Sequence, residues 1–354
     1  MKIAHIMSAE AFGGTGLQFD RLVAGLHGAG INQRVILADG SGRFADLKAL
    51  GIETISMDIP GRFAFLDRRK INAELKRYTP DIVVSWSAEL CGLVERGSYC
   101  HLGRAAAVFE PAAYATCNAL FAPSQARADA AIAAGWAREA VHVLPHLPSA
   151  GLVRATVKPA DRKTYFTPAT ARLLFTAARL IDSKGIDDLL QAIANISSVY
   201  LWIAGDGDDR QAFEARAHQL GIKPRVRFLG WQNDLRPYLA AADIFVYPAR
   251  QEDLGDAVIE AWAAGVPLIA ADSLGPGLLI RHQENGLLVP TGDPRSLSEA
   301  IRWMLVETAA AKRLAAAGSA AFDDVFATDK LLPRYIAMLK GLAGAPASTP
   351  TPQA

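Results

Sequence analysis

The stretch from Gln251 to Gly277 places two glutamates, Glu252 and Glu260, eight residues apart around a Leu-Gly-Asp turn. A carboxylate offers two acceptor oxygens, which suits the hydroxyl groups of a sugar or the diol of a ribose. The first N–H groups of a helix lack partners within that helix and attract an anion such as phosphate. The pattern therefore predicts a cradle for a polyhydroxylated, phosphorylated ligand. Its members are Glu252, Leu254, Gly255, Asp256 and Glu260.

The alternative explanation is that these residues only mark the start of a helix. Asp256 would then cap the N-terminus of the following helix, and Glu260 would interact favourably with the helix dipole. This alternative does not account for Glu252 and Gly255 together with two cations that lie upstream.

Those cations stand in the stretch Thr176 to Gly185, where an apolar strand pattern ends. Arg179 follows the strand directly, and Lys184 comes five positions later. Arginine offers a planar fork of donors and lysine a mobile point charge, a combination that suits a diphosphate. An exposed basic loop without a ligand is the competing interpretation.

Two further turns follow strand patterns in the same half of the chain. The turn Gly205-Asp206-Gly207 permits either close backbone packing or contact with a nucleotide. At Gly230-Trp231, backbone groups of Trp231 can read the edge of a base, whereas the indole is equally suited to packing.

The first loop, SAEAFGGTGLQF, holds Gly13, Gly14 and Gly16 before a helical pattern begins. Glycines here let backbone N–H groups approach a phosphate or a sugar. A dinucleotide site is an alternative, because Asp39 follows the second strand pattern. The spacing is not G-x-G-x-x-G, however, and the glycines begin six residues after the strand. A flexible turn at a helix start also remains open.

Composition limits the classes of function. With 354 residues, 51% hydrophobic and 21% charged, the chain is typical of a soluble globular enzyme with two domains. A net charge of +1 provides no general field to attract nucleic acid. The three cysteines, Cys91, Cys100 and Cys117, form no metal pattern and favour free thiols in a reducing cytoplasm. We recognise neither a signal peptide nor a membrane span.

Short apolar runs alternate with amphipathic helical patterns, which predicts parallel sheets with helices on both faces. In the first half, strands are predicted at Lys2–Met7, Gln33–Leu37, Glu53–Met57, Asp81–Trp86, Ala105–Phe109, Ala119–Ala122 and Val141–Leu144. In the second half, strands are predicted at Arg172–Thr176, Val199–Ala204, Arg225–Leu229, Asp243–Val246 and Leu268–Ala271. We expect domains at 1–150 and 171–325, a linker at 151–170, a C-terminal helix at 326–343 returning to the first domain, and a flexible tail at 344–354.

Several ordered motifs in the second half resemble the retaining GT-B glycosyltransferases of the large E-x7-E family, which is described as group 1 or family 4-like. The motifs are Arg179, Lys184-Gly185, Gly205-Asp206-Gly207, Phe228-Leu229-Gly230, the pair Glu252 and Glu260, EAWAAGVPLIA and NGLLVPTGD. The first half matches more loosely and most resembles members that build bacterial cell envelopes and lipopolysaccharide. This resemblance implies an α/β GT-B fold, in which two doubly wound Rossmann-like domains face a central cleft.

The same resemblance implies roles for single residues. Arg179 and Lys184 would bind the donor diphosphate, Glu252 the transferred sugar and Glu260 the ribose, with Arg179, Lys184 and Glu252 acting in catalysis. Gly14 and Gly16 would lie near the phosphates or the acceptor. Further donor contacts are expected from Gly205, Trp231, Leu254, Gly255 and Asp256. The donor would be a nucleotide diphosphate sugar, a UDP-sugar in preference to a GDP-sugar, with no cofactor and no metal.

The first half also departs from the family pattern. Trp86 stands where a histidine often follows the strand, Phe109 and Glu110 occupy a nearby motif, and His146 stands where asparagine is common. The departures at Trp86 and Phe109 suggest the hypothesis of a noncatalytic nucleotide-sugar binder. A sugar-nucleotide epimerase on the same two-domain scaffold is a separate alternative, although the set of catalytic acids and bases that it needs cannot be assembled here.

Residues 61–77 mix arginines and lysines with Phe63 and Phe65. We expect this segment either to rest on an anionic membrane surface and meet a glycan or lipid-linked acceptor, or to form a solvated amphipathic helix. The first interpretation predicts a cytoplasmic protein that is peripheral on the inner face of the cytoplasmic membrane.

Overall fold

The computed structural model describes residues 1–8, 14–57, 59, 64–148 and 157–344. Gly13, residues 61–63 of the basic segment and residues 345–354 of the predicted tail lie outside this range. The chain divides into two compact units. One comprises Met1–Leu147 with the C-terminal helix, and the other is Pro148–Ala327.

The described part of the first unit contains a seven-stranded parallel sheet of order β3-β2-β1-β4-β5-β6-β7. Its strands are β1 Lys2–Met7, β2 Asn32–Ala38, β3 Glu53–Met57, β4 Ile82–Ser85, β5 Cys100–Arg104, β6 Ala119–Ala122 and β7 Val141–Val143. Its helices are α1 Gly14–Gly28, α2 Arg43–Ala49, α3 Ala64–Tyr78, α4 Ala88–Cys91 and α5 Gln125–Ala133. Strands such as β4 and β6 are buried along their whole length, because helices cover both faces of a parallel sheet.

The fifth strand differs from its predicted position. Ala105–Phe109 was predicted as a strand from its apolar run, but the strand is Cys100–Arg104. The polar His101 and Arg104 are buried in the strand, where the Ser85 hydroxyl lies 2.9 Å from His101 Nε2 and His146 Nε2 lies 3.2 Å from the guanidinium of Arg104. The apolar run lies in the loop beyond, where Val108 is 77% exposed and Phe109 stacks on Tyr114 at 4.8 Å.

A C-terminal helix, numbered α13 in chain order and spanning Thr328–Gly344, packs on the first unit. Gln18 on α1 donates from Nε2 to the hydroxyl of Tyr335 at 2.7 Å, and its Oε1 accepts from the N–H of Leu147 at 2.7 Å. The Tyr335 hydroxyl lies 3.2 Å from the Leu144 carbonyl and 3.1 Å from that of Pro145. One buried tyrosine therefore ties the helix to α1 and to the segment after β7.

Helix α3 is amphipathic with a basic outer face. Ile71 and Leu75 are buried, whereas Arg69, Lys70 and Lys76 are exposed. No helix among the described residues has the length and apolar character that crossing a bilayer requires.

The second unit contains, among its described residues, a six-stranded parallel sheet of order β10-β9-β8-β11-β12-β13. Its strands are β8 Arg172–Ala177, β9 Val199–Ala204, β10 Val226–Gly230, β11 Ile244–Tyr247, β12 Leu268–Ala271 and β13 Leu287–Val289. Its helices are α6 Ile186–Ala194, α7 Arg210–Gln219, α8 Arg236–Ala241, α9 Asp256–Ala264, α10 Leu274–Leu279, α11 Pro294–Val306 and α12 Thr308–Ala321. In α6, Ile186, Leu189, Leu190 and Ile193 recur at helical spacing and face the core.

Part of the segment predicted as a linker packs on the second unit. The guanidinium of Arg162 donates to the carbonyls of Ala171 at 2.9 Å and Ala241 at 2.6 Å, and pairs with Asp243 at 3.1 Å. Thr167 accepts a hydrogen bond from the indole of Trp202 at 2.9 Å. These contacts give residues 157–170 a fixed place that their Pro-rich and charged composition did not indicate.

We expect Tyr335→Phe to lower the free energy of unfolding by about 1–3 kcal/mol, because it leaves the buried Gln18 amide without its acceptor. Thermal or urea unfolding of the purified variant measures this change. Tyr200→Phe is the control, since within the described residues the Tyr200 hydroxyl forms no hydrogen bond. Equal stability of the two variants would contradict the role assigned to Tyr335.

Candidate active site

The loops that carry Lys184 and Glu252 meet where the strand order of the second sheet reverses. From β8 the chain moves outward to β9 and β10, whereas β11 returns beside β8 and leads the other way to β12 and β13. Lys184 lies in the loop after β8, and Glu252 lies in the loop after β11. In open parallel sheets, ligands bind outside the carboxyl ends of the strands at this kind of switch point.

Glu252 and Lys184 form a partly buried ion pair. Lys184 Nζ lies 2.9 Å from Glu252 Oε2, and the two side chains are 16% and 13% exposed. Lys184 Nζ also donates to the carbonyl of Gln251 at 3.1 Å. The predicted ligand of the diphosphate and the predicted ligand of the sugar are therefore direct neighbours.

Two uncharged donors complete the surroundings of the Glu252 carboxylate. The hydroxyl of Tyr247 donates to Oε2 at 2.6 Å, and the N–H of Leu254 donates to Oε1 at 3.0 Å. Burial raises the pKa of Tyr247 well above its usual value, and the carboxylate of Glu252 raises it further. Tyr247 thus stays protonated and keeps donating to Glu252 across the physiological pH range.

Arg250 connects the loop after β11 to the loop after β8 and to helix α6 through ion pairs and hydrogen bonds. It forms a two-pronged ion pair with Asp188 at 2.7 and 2.8 Å and also contacts Asp182 at 3.0 Å. The hydrogen bonds with Asp188 raise the pKa of Arg250, with a further contribution from the charge of Asp182. The N–H groups of Arg250 and Gln251 both donate to the carbonyl of Ser183.

The loop after β8 comes so close to the loop after β11 that position 185 requires a glycine. It adopts a φ of +64°, and a Cβ atom there would lie 2.1 Å from the carbonyl oxygen of Pro248. Only a residue without a side chain lets the loop after β8 touch the loop after β11 in this way.

The Gly205-Asp206-Gly207 turn uses its glycines for backbone packing. A Cβ at Gly205, whose φ is +126°, would lie 1.9 Å from the carbonyl oxygen of Ala178. At Gly207 the corresponding distance to the carbonyl oxygen of Leu180 is 2.4 Å. The turn therefore supports the loop that carries Arg179 and Lys184, whatever contact it makes with a nucleotide.

Helix α9 begins directly after the loop that carries Glu252. Gly255 precedes it at the N-cap position with a φ of +76°, and Asp256 is its first residue. The carbonyl of Glu252 accepts from the N–H of Gly275 at 2.7 Å, which fixes the loop before the helix. Glu260 lies one turn further along α9 and is 8% exposed.

The remaining predicted donor residues are spread over other elements. Arg179 is exposed in the loop after β8, and among the described residues its guanidinium forms no ion pair. Trp231 follows the edge strand β10, is 37% exposed and donates from its indole to Asn233 at 2.8 Å. Gly14 and Gly16 belong to the first unit, at the start of α1, where Gly14 is exposed and Gly16 is buried.

Sequence patterns alone missed three residues that organise this site. The sequence analysis assigned no role to Tyr247, which ends the buried strand β11, to Arg250 or to Gly275. The position of Tyr247 and Arg250 between a strand end and Glu252 was the available signal, because side chains at strand carboxyl ends converge.

Comparison with known proteins gives one family and several close relatives. Residues 157–321 match the family described as Glycosyl transferases group 1. The chain is 30% identical over 352 residues to the lipopolysaccharide core biosynthesis glycosyltransferase LpsE of Rhizobium meliloti, a match that covers 96% of this chain and 99% of LpsE.

Solved structures share the fold. HepE of Anabaena, in complex with UDP and glucose, is similar with a TM-score of 0.83 and 20% identity over 97% of this chain and 100% of HepE. WaaG, a glycosyltransferase involved in lipopolysaccharide biosynthesis, is similar with a TM-score of 0.76 and 19% identity over 98% of this chain and 100% of WaaG. These likenesses confirm the predicted GT-B fold.

We expect Gly205→Ala to destabilise the second unit by about 3 kcal/mol, because the added methyl group meets the Ala178 carbonyl. The matched control is Gly221→Ala. Gly221 has a similarly left-handed φ of +69° but open space around it, so only backbone strain of about 1 kcal/mol is expected. Unfolding of both variants by denaturant tests this difference, and an equal loss would argue against tight packing at Gly205.

Proposed function

Because the chain belongs to the group 1 family of glycosyltransferases, we propose that it moves a hexose from a UDP-sugar to a glycan or lipid-linked glycan of the lipopolysaccharide core, with retention of configuration. The name of LpsE supports the acceptor class, since that relative is similar over nearly its whole length. The complex of HepE with UDP and glucose supports a UDP-sugar over a GDP-sugar.

The observation that carries this proposal is the contact between Lys184 and Glu252 at the switch point of the second sheet. In a nucleotide sugar the phosphate and the hexose are directly bonded, so their ligands must also be neighbours. An ammonium group beside a carboxylate provides one ligand for each. Arg179 supplies a second cation from the same loop, and the first N–H groups of α9 supply uncharged donors.

In the proposed reaction the bond between the anomeric carbon and the distal phosphate oxygen breaks, and the acceptor hydroxyl bonds to the same carbon. Negative charge develops on the departing diphosphate. Arg179, Lys184 and the start of α9 stabilise that charge, which lowers the barrier more than it strengthens binding of the donor. The departing phosphate takes the proton of the acceptor hydroxyl, while Glu252 orients the sugar hydroxyls and Glu260 the ribose.

We also propose that the basic outer face of α3 rests on the inner, anionic face of the cytoplasmic membrane, where a lipid-linked acceptor resides. Arg69, Lys70 and Lys76 are exposed on this face, and Leu66 beside them is 46% exposed. Exposed cations attract anionic headgroups, and a neighbouring apolar side chain inserts between them.

The first test measures UDP release from UDP-glucose with and without lipopolysaccharide truncated in its core. We expect release that depends on the acceptor, and an anomeric configuration in the product equal to that of the donor. Arg179→Ala should lower kcat/KM by about a hundredfold, because one stabilising cation is lost from the departing group. Arg295→Ala is the control, since Arg295 is 88% exposed and pairs with Glu299 on α11.

Three outcomes would contradict the proposal. Inversion at a sugar carbon without transfer would indicate an epimerase, and nucleotide binding without turnover would indicate a noncatalytic binder. Greater thermal stabilisation by GDP than by UDP would reject the donor base.

For the membrane contact, we expect the double variant Arg69→Glu, Lys70→Glu to bind anionic vesicles at least about tenfold more weakly, because two attractive charges become repulsive. Sedimentation with phosphatidylglycerol vesicles measures the effect. The matched control reverses Lys312 and Arg313, an adjacent exposed pair on α12. Unchanged binding by the α3 variant would remove this surface from the proposal.

A further inference from the structure

A compact group of two thiols and an imidazole lies inside the first unit. Cys91 ends helix α4, His101 lies in strand β5, and Cys117 lies in the turn before β6. Their possible ligand atoms all lie within 4.8 Å of one another, and each of the three residues is at most 3% exposed. Three separate chain segments thus converge on one point.

The spacing of these atoms suits a tetrahedral zinc ion. Zn–S distances near 2.3 Å and Zn–N distances near 2.0 Å put a sulfur and a nitrogen ligand about 3.6 Å apart. Cys117 Sγ and His101 Nε2 lie 3.8 Å apart. The two atoms need to move only slightly to share one ion.

The neighbours of His101 orient the correct nitrogen toward the sulfurs. Thr116 donates its hydroxyl proton to the carbonyl of Cys91 at 2.9 Å, so its oxygen accepts from Nδ1–H of His101 at 3.2 Å. Nε2 is then unprotonated, and the Ser85 hydroxyl and Cys117 Sγ lie 2.9 and 3.8 Å from it. A partner that holds the distant ring nitrogen is the usual support of a metal-binding histidine.

A fourth donor atom faces the same point. Ser85, at the end of β4, is fully buried, and its hydroxyl lies 2.9 Å from His101 Nε2. Gly103 provides the space on the adjacent strand position, because a Cβ there would lie 2.9 Å from Cys117 Sγ and 3.2 Å from Cys91 Sγ.

We propose that Cys91, His101 and Cys117 bind one zinc ion, with the hydroxyl oxygen of Ser85 as the fourth ligand. Two thiolates and an imidazole form a ligand set that zinc prefers over the hard cations magnesium and calcium. Binding releases two protons, one from each thiol, and two thiolate charges balance the charge of the ion. The buried site is structural: it joins β4, α4, β5 and the segment before β6, and it is separate from the residues assigned to the donor.

The first experiment measures zinc in protein purified under reducing conditions without added chelator. We expect about one zinc per chain by mass spectrometry of the metal. Removal of zinc with a chelator should lower the melting temperature, and zinc chloride should restore it. In the metal-free protein, cobalt chloride should produce the near-ultraviolet absorption of thiolate bound to cobalt.

Variants assign the ligands. Cys91→Ser and Cys117→Ser should each lose both the zinc and the cobalt absorption, whereas Cys100→Ser is the matched control and should keep them, since Cys100 is half-buried outside the cluster. Gly103→Ala should also weaken zinc binding although it keeps all the ligand residues, because the added methyl group would displace the two sulfur atoms.

The wild-type measurements test the proposal even if a cysteine variant fails to fold. Zinc-free protein that gives no cobalt–thiolate absorption would overturn it. A disulfide between Cys91 and Cys117 in freshly isolated, metal-free protein would overturn it as well, because it would assign the pair to redox chemistry.

Discussion

The contact between Arg250 and Asp188 is the interaction on which the candidate site depends most. Asp188 lies in the first turn of α6 and its side chain is 6% exposed, so its charge requires a partner. Arg250 is 32% exposed, and its loss would leave the buried carboxylate of Asp188 without its two-pronged partner. Since Arg250 is two residues from Glu252 and Asp188 four from Lys184, this pair fixes the distance between the ammonium group and the carboxylate. The position of the site is therefore set by a charge pair that takes no part in the chemistry.

Close backbone packing accounts for the glycine turns of the second unit. Where the loops that leave neighbouring parallel strands, about 4.8 Å apart, come into backbone contact, a residue without a side chain is required. Gly185 and Gly205 meet this requirement, because each directs its missing Cβ at a neighbouring carbonyl oxygen. The N–H groups of these two glycines are themselves hydrogen-bonded, Gly185 to the carbonyl of Asp182 at 3.0 Å and Gly205 to that of Gly230 at 2.8 Å. A turn that resembles a nucleotide-binding turn is therefore already required by the packing of the sheet.

Sequence patterns predicted the features that depend on neighbouring residues and missed those that depend on contacts between distant parts of the chain. Lys184 and Glu252 could be recognised because each lies in the loop that follows a predicted strand, and the carboxyl ends of parallel strands meet at one edge of the sheet. The fifth strand could not, since Cys100–Arg104 is polar and becomes buried only through partners distant in the chain. The cysteine–histidine cluster was missed for the same reason. Cys91 and Cys117 are 26 positions apart, a spacing typical of no metal motif, and only the sheet brings them together.

Trp86 connects the packing of the first unit to the proposed chemistry. It is 1% exposed, and its indole N–H donates to Nδ1 of His5 at 3.3 Å. Burial lowers the pKa of His5 to about 4, although its hydrogen bond with Gln33 opposes the shift, so the ring is neutral and accepts this bond. Trp86 therefore belongs to the core, and an indole has no lone pair with which to accept a proton. The departure from the family pattern at this position is thus consistent with a mechanism in which the departing phosphate accepts the proton of the acceptor. That mechanism constrains the second unit in turn, because Arg179, Lys184 and the start of α9 must stabilise the diphosphate while leaving one oxygen of its distal phosphate uncovered.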